Sequence, residues 1–154
     1  MTAPVYGVSA PANVSLGAAT AVSALAIKSG AAFGLQLLGF DLGNLGVTAS
    51  DIPILVELCH CTFATAGTAT GAATITQESG RSLAAGFTAN YDYTAEPTVL
   101  TVFRSFTLTP NGGLVLYDYP LGTEPDTGFD TGFALRLTAP AALNVRPSMR
   151  VSRI

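Results

Sequence analysis

The stretch ELCHCTFATAG, Glu57–Gly67, carries both cysteines and the only histidine of the chain in succession: Cys59, His60 and Cys61. Thiolates and imidazoles are the ligands of structural zinc, and a cysteine beside a histidine is the pairing that activates a thiol nucleophile. Both chemistries require the side chains to converge. The residues before and after the triplet, ILVEL and TF, are mostly β formers, and a strand sends successive side chains to opposite faces. Cys59 and Cys61 then share one face and His60 takes the other. The chain offers no further Cys or His to complete a zinc shell. Nor can the two thiols bridge, because Cβ atoms two apart on a strand lie ~7 Å from each other against the ~4 Å of a disulfide. The expectation is two reduced packing thiols, a structural or surface imidazole and no metal.

Other chemistry is equally sparse. Glu124, Asp126 and Asp130 cluster in TEPDTGFDTG, a spacing loosely like a calcium loop. It lacks the Gly at the sixth position and the closing Glu of the EF-hand pattern, so it reads as a solvated loop. There is no phosphate loop, nucleophile elbow or dinucleotide fingerprint. A pair of glycosidase carboxylates cannot be placed from sequence, and the absence of Trp weakens a carbohydrate-binding reading built on aromatic platforms. Tyr91, Tyr93, Tyr117 and Tyr119 alternate on strands and read as core edge or protein interface. No catalytic, cofactor-binding or metal residue is assigned, and the chain is not expected to be an enzyme.

The composition points to association. Of the 154 residues 49% are hydrophobic and 11% charged, against about 25% charged in ordinary soluble domains. Small polar residues must cover the surface, or partners must. The net charge is −3, and Arg146, Arg150 and Arg153 form no basic patch with interleaved aromatics, so nucleic-acid binding is not expected. The first sixteen residues have two prolines and no basic region, so no secretory leader is expected. The apolar stretch from Gly17 to Phe40 is interrupted at Lys28, Ser29 and Gly30, leaving pieces well short of the ~20 residues of a membrane helix.

The elements that would position these residues are strands. TAVSALAIKSG, AFGLQLLGFDLG and DIPILVELCHCTFA are apolar runs rich in strand formers. GFTANYDYT sets Phe87, Ala89, Tyr91 and Tyr93 against Thr88, Asn90 and Asp92 with period two. TVLTVFRSFTLT and LVLYDYPLG flank PNGG, which predicts a hairpin over Thr98–Tyr119 turning at Asn111–Gly113. In GFALRLTAP, Phe133, Leu135 and Leu137 share a face. In LNVRPSMRVSRI, Leu143, Val145, Met149 and Val151 do the same, and Pro147 argues for an edge or a bulge there. Residues 68–80 read as a long connection between sheets or an exposed loop, and residues 1–16 as an extended arm before a domain of residues 17–154. About eight strands, no amphipathic helix and no internal repeat predict an all-β, single-domain antiparallel β-sandwich, jelly-roll-like.

Several of these phrases carry a resemblance. YDYTAEPTVLTV at Tyr91–Val102, LTPNGG at Leu108–Gly113, YDYPLGTEP at Tyr117–Pro125 and GFALRLTAPAALNVRPSMRVSRI from Gly132 onward, with DIPILVELCHCTFATAGTAT at Asp51–Thr70, cover roughly two thirds of the chain. Together they resemble the head-decoration, or capsid cement, proteins of tailed bacteriophages. Each phrase is a strand and turn, and none is catalytic. The resemblance implies a jelly-roll-like structural virion protein, assembled in the host cytoplasm and bound to the outer surface of the capsid. Its partners would be the major capsid protein and copies of itself, often as a trimer. The alternative is a carbohydrate- or receptor-binding sandwich on a phage head or tail.

Overall fold

The computed structural model describes residues 3–45, 52–109 and 113–154. Thirteen strands follow one another: β1 Val5–Ser9, β2 Val14–Leu16, β3 Ala21–Lys28, β4 Leu35–Leu45, β5 Ile54–Thr65, β6 Thr68–Ala72, β7 Thr74–Ser79, β8 Thr88–Ala95, β9 Thr98–Leu108, β10 Leu114–Asp118, β11 Asp126–Thr127, β12 Gly132–Thr138 and β13 Leu143–Arg153. They form two antiparallel sheets packed face to face, a β-sandwich. One sheet runs β10-β4-β13-β1-β7, with β11 beside β4 and β2 beside β13; the other runs β6-β8-β3-β12-β5-β9. Among the described residues no helix is long and apolar enough to cross a membrane.

The core lies between the sheets, and the period-two pattern of the inner strands fills it. Phe133, Leu135 and Leu137 of β12 and Leu143, Val145, Met149 and Val151 of β13 are all buried there. β8 departs from its expected alternation. Phe87, Ala89 and Tyr91 pack toward this core, but Asp92 adopts a left-handed φ of 56° and turns Tyr93 to the opposite face of the sheet.

Four expectations are corrected. The first concerns residues 1–16, which are no detached arm. β1 pairs with β13 on one side and β7 on the other, β2 pairs with β13, and Tyr6, Val8, Val14 and Leu16 are buried. The alternation of Tyr6 and Val8 with Gly7 and Ser9 is a strand pattern too short to stand out between two prolines.

The second concerns the Thr98–Tyr119 hairpin. β9 pairs with β5, matching Val56 to Phe106 and Ile54 to Leu108, whereas β10 pairs with β4, matching Phe40 to Tyr117. The two runs therefore belong to different sheets. Of the expected turn, residues 111 and 112 lie outside the described residues.

Thirdly, residues 68–80 do pass from one sheet to the other, but as strands. β6 pairs with β8, β7 pairs with β1, and the single residue Ala73 joins them, donating its N–H to the Ala89 carbonyl at 2.9 Å. Both strands lie at sheet edges, where threonines facing solvent suffice and a hydrophobic signal is weak.

Finally, Pro147 does not mark an edge: β13 has neighbours on both sides, and its register against β4 shifts between Arg150 and Val151. The Pro147 carbonyl accepts from the Ala10 N–H at 3.3 Å. In an extended strand a residue's nitrogen and carbonyl point to the same side, so the missing donor of Pro147 faces the break between β1 and β2 and leaves no ladder bond unmade.

Candidate functional site

Cys59, His60 and Cys61 are separated by the sheet, as strand geometry requires. His60 faces the inter-sheet side beside its register partner Phe133, its ring centroid 4.6 Å from Phe103 and 5.4 Å from Phe133. Burial lowers its pKa below the ordinary histidine value, with the Asp126 charge opposing. The cysteines point to the other face. Cys59 packs with Ala26, Tyr93 and Ala134 in a second, smaller apolar cluster, which Phe63, Ala69 and Leu100 help to cover. Both thiols are free and buried. Burial pushes the Cys59 thiol up to about 11 and also raises Cys61, whose sulfur accepts the Phe63 N–H at 3.4 Å. A thiol is nucleophilic only as the thiolate, so these groups are chemically quiet. In folded protein at pH 8 neither thiol should react with a thiol-specific reagent, and two should react in denaturant without reductant. Rapid labelling of the native protein would contradict this.

The β8–β9 connection crosses over β3, and Glu96 accepts hydrogen bonds there from the Ser23 N–H, at 2.6 Å, and from the Ser23 hydroxyl. Ser23 is fully buried. Beside it, Arg136 donates to Glu57 at 2.8 Å, and Ser23, Arg136 and Glu57 are register neighbours on β3, β12 and β5. This polar row is structural, and sequence reading missed it because Ser23 sits within an apolar run.

The acidic loop residues are dispersed. Glu124 accepts the Gly122 N–H at 2.6 Å, Asp126 pairs with Gln36 in β11, and Asp130 lies 3.8 Å from Lys28. Among the described residues no three His, Cys, Asp or Glu side chains are grouped to hold a metal ion.

The surface that stands out is the side of the sandwich where the edge strands β9 and β10 face each other. On the opposite side the edge strands are β6 and β7, joined through Ala73. On the β9–β10 side the register of β9 shifts opposite Leu58 and Cys59. That bulge lets both Phe103 and Arg104 turn inward, which an unbroken alternation would forbid. Phe40 stacks on Phe106 with centroids 5.8 Å apart and lies 5.7 Å from Tyr117, which meets Tyr119 edge-on at 5.0 Å. The Arg104 guanidinium crosses the gap to lie 4.0 Å from the centre of the Tyr117 ring, a cation–π contact. A cleft of about 280 Å³ remains, lined by Phe40, Arg104, Ser105, Phe106, Val115 and Tyr117. On the outer faces of the same two edge strands Val102, Leu114 and Leu116 are exposed. Of the four tyrosines that the sequence singles out, Tyr117 and Tyr119 lie here; Arg104 and Phe106 carry no local signal, because the hairpin pattern of β9 and β10 hides that they face each other from different sheets.

Such a cleft can bind an apolar group and an anion together. In comparisons with known proteins the chain matches no family model, no curated protein and no solved structure.

Proposed function

We propose that this chain is a structural virion protein, a decoration or cement subunit that binds the outer capsid lattice of a tailed bacteriophage and stabilises it by bridging major capsid subunits. It works as a homo-oligomer, most simply a trimer, and carries no catalysis. The observation that supports the reading best is where its apolar surface lies. Val99, Val102, Leu114, Leu116 and Leu121, between 40% and 97% exposed, lie on the two edge strands β9 and β10 and the turn that follows, in a chain with 11% charged residues. Exposed apolar edge strands are surfaces that partners cover. Several modest contacts per oligomer multiply through avidity, which suits a repeating lattice.

The test is co-sedimentation of the purified protein with capsids stripped of their surface proteins, with copy number per particle measured by mass spectrometry. Saturable, stoichiometric binding at lattice multiples supports the proposal, and a protein that ignores capsids ends it.

One feature favours the sugar-binding alternative. A second groove of about 270 Å³ on the outer face of the β4-β13-β1-β7 sheet is lined by Ser9, Asp41, Thr76, Glu78, Ser148 and Arg150 around Gly7. Hydroxyls, carboxylates and a guanidinium are partners for sugar hydroxyls. Saturable glycan binding without capsid binding would select that reading.

A further inference from the structure

We infer that the β9–β10 cleft is the socket for Leu121 of a second copy of this chain, with Glu124 of that copy paired to Arg104. The inference rests on the oligomeric part of the proposed function and specifies the contact that makes it.

The knob is built to protrude. Pro120–Thr123 forms a tight turn in which the Thr123 N–H donates to the Pro120 carbonyl at 3.0 Å and the Thr123 hydroxyl donates to the same oxygen at 2.8 Å. Gly122 supplies the required left-handed φ of 87°, and Glu124 caps its N–H. The turn is therefore stiff, yet it holds Leu121 97% exposed, more than any other large hydrophobic side chain described. A rigid turn that presents one bare leucine has already lost the conformational freedom that binding would cost.

The socket matches it in shape and in charge. Its walls are Phe40, Phe106, Val115 and Tyr117, and apolar anchors in aromatic pockets dominate the energy of protein contacts. Lys28, Arg136 and Arg150 each have a carboxylate partner; Arg104, like Arg81, Arg146 and Arg153, has none among the described residues, and of these four it is the one that lines the cleft. Glu124 stands three residues beyond the knob and uses Oε2 for its cap, leaving Oε1 to meet a cation. Leu121 is solvent-exposed in its own chain, so the occupant must come from another molecule. Knob and socket are different residues, so two copies either exchange knobs reciprocally about a two-fold axis or pass them head-to-tail around a ring.

The decisive experiment mixes full-length chains carrying Leu121→Cys with chains carrying Ser105→Cys under mild oxidation. Cys59 and Cys61 are buried and do not compete. A disulfide-linked pair of the two different chains, formed in preference to either chain with itself, is the expected product. Sedimentation of Leu121→Ser, a fully exposed change that leaves the fold intact, should show self-association weakened by about tenfold or more, the share of one buried leucine. Arg104→Glu should weaken it as well. Hetero-cross-linking no stronger than the homo-cross-links overturns the inference. So does undiminished self-association of Leu121→Ser, and so does an unmodified chain that stays monomeric at every concentration. Capsid binding is read separately: if it persists without the cross-link, only the knob and socket fail, and if the cross-link forms without capsid binding, only the cement reading fails.

Discussion

A chain beginning at residue 17 is expected to be unfolded. Residues 1–16 contribute β1, which is hydrogen-bonded to both β13 and β7, and β2, which continues the pairing along β13. Their removal deletes the buried side chains of Tyr6, Val8, Val14 and Leu16. At about 1.5–3 kcal/mol for each large apolar side chain, the loss is roughly 6–12 kcal/mol, against a total stability of about 5–15 kcal/mol for an ordinary domain. It also strips ladder partners from β13 and strands β7 away from its sheet, which exposes two unpaired edges to aggregation. A detached arm would behave in the opposite way, leaving a folded fragment with weakened assembly. Far-UV circular dichroism and a denaturant titration of the 17–154 fragment distinguish the two, and a soluble fragment with a cooperative transition would contradict the structure.

The second large effect belongs to Glu96→Ala. The carboxylate of Glu96 satisfies both the N–H and the hydroxyl of Ser23, a residue with no exposure to solvent. Leaving a buried donor without an acceptor costs about 1–3 kcal/mol, so the two together should cost roughly 2–6 kcal/mol in urea or thermal unfolding. The same change releases the β8–β9 connection from the sheet. Glu96→Gln keeps an acceptor and should lose less. Ser23→Ala removes one donor outright and should also be milder, since no hydroxyl is then left unpaired. A Glu96→Ala protein within about 0.5 kcal/mol of the parent, the range of an ordinary surface substitution, would show that the crossing is not held by this contact.

The two predictions bear on different kinds of information. Strand identity is local. The alternations in GFALRLTAP and LNVRPSMRVSRI assign Phe133, Leu135, Val145 and Met149 to the inter-sheet core, and the structure buries all four. The same alternation separates Cys59 and Cys61 from His60 without reference to any other part of the chain. Small residues, β formers and Gly/Pro turns determined the all-β sandwich class for the same reason. Backbone geometry forces side chains to opposite faces wherever a strand forms, so a sequence pattern reports it directly.

Pairing is a different matter. Val5 meets Ser152, Glu96 meets Ser23, and Arg104 meets Tyr117 across the gap between two sheets. Nothing in the residues between them encodes those encounters. β9 and β10 had every local mark of a hairpin, yet each gained more by joining a wider apolar partner, β5 and β4, than by pairing with the other. Asp92 and the bulge in β9 then reversed which side chains face inward, bringing Tyr93 out and Arg104 in. The cleft and its guanidinium exist only because of those choices. They were settled by competition among distant edges for buried area and hydrogen bonds, a sum over the whole molecule that no local pattern contains.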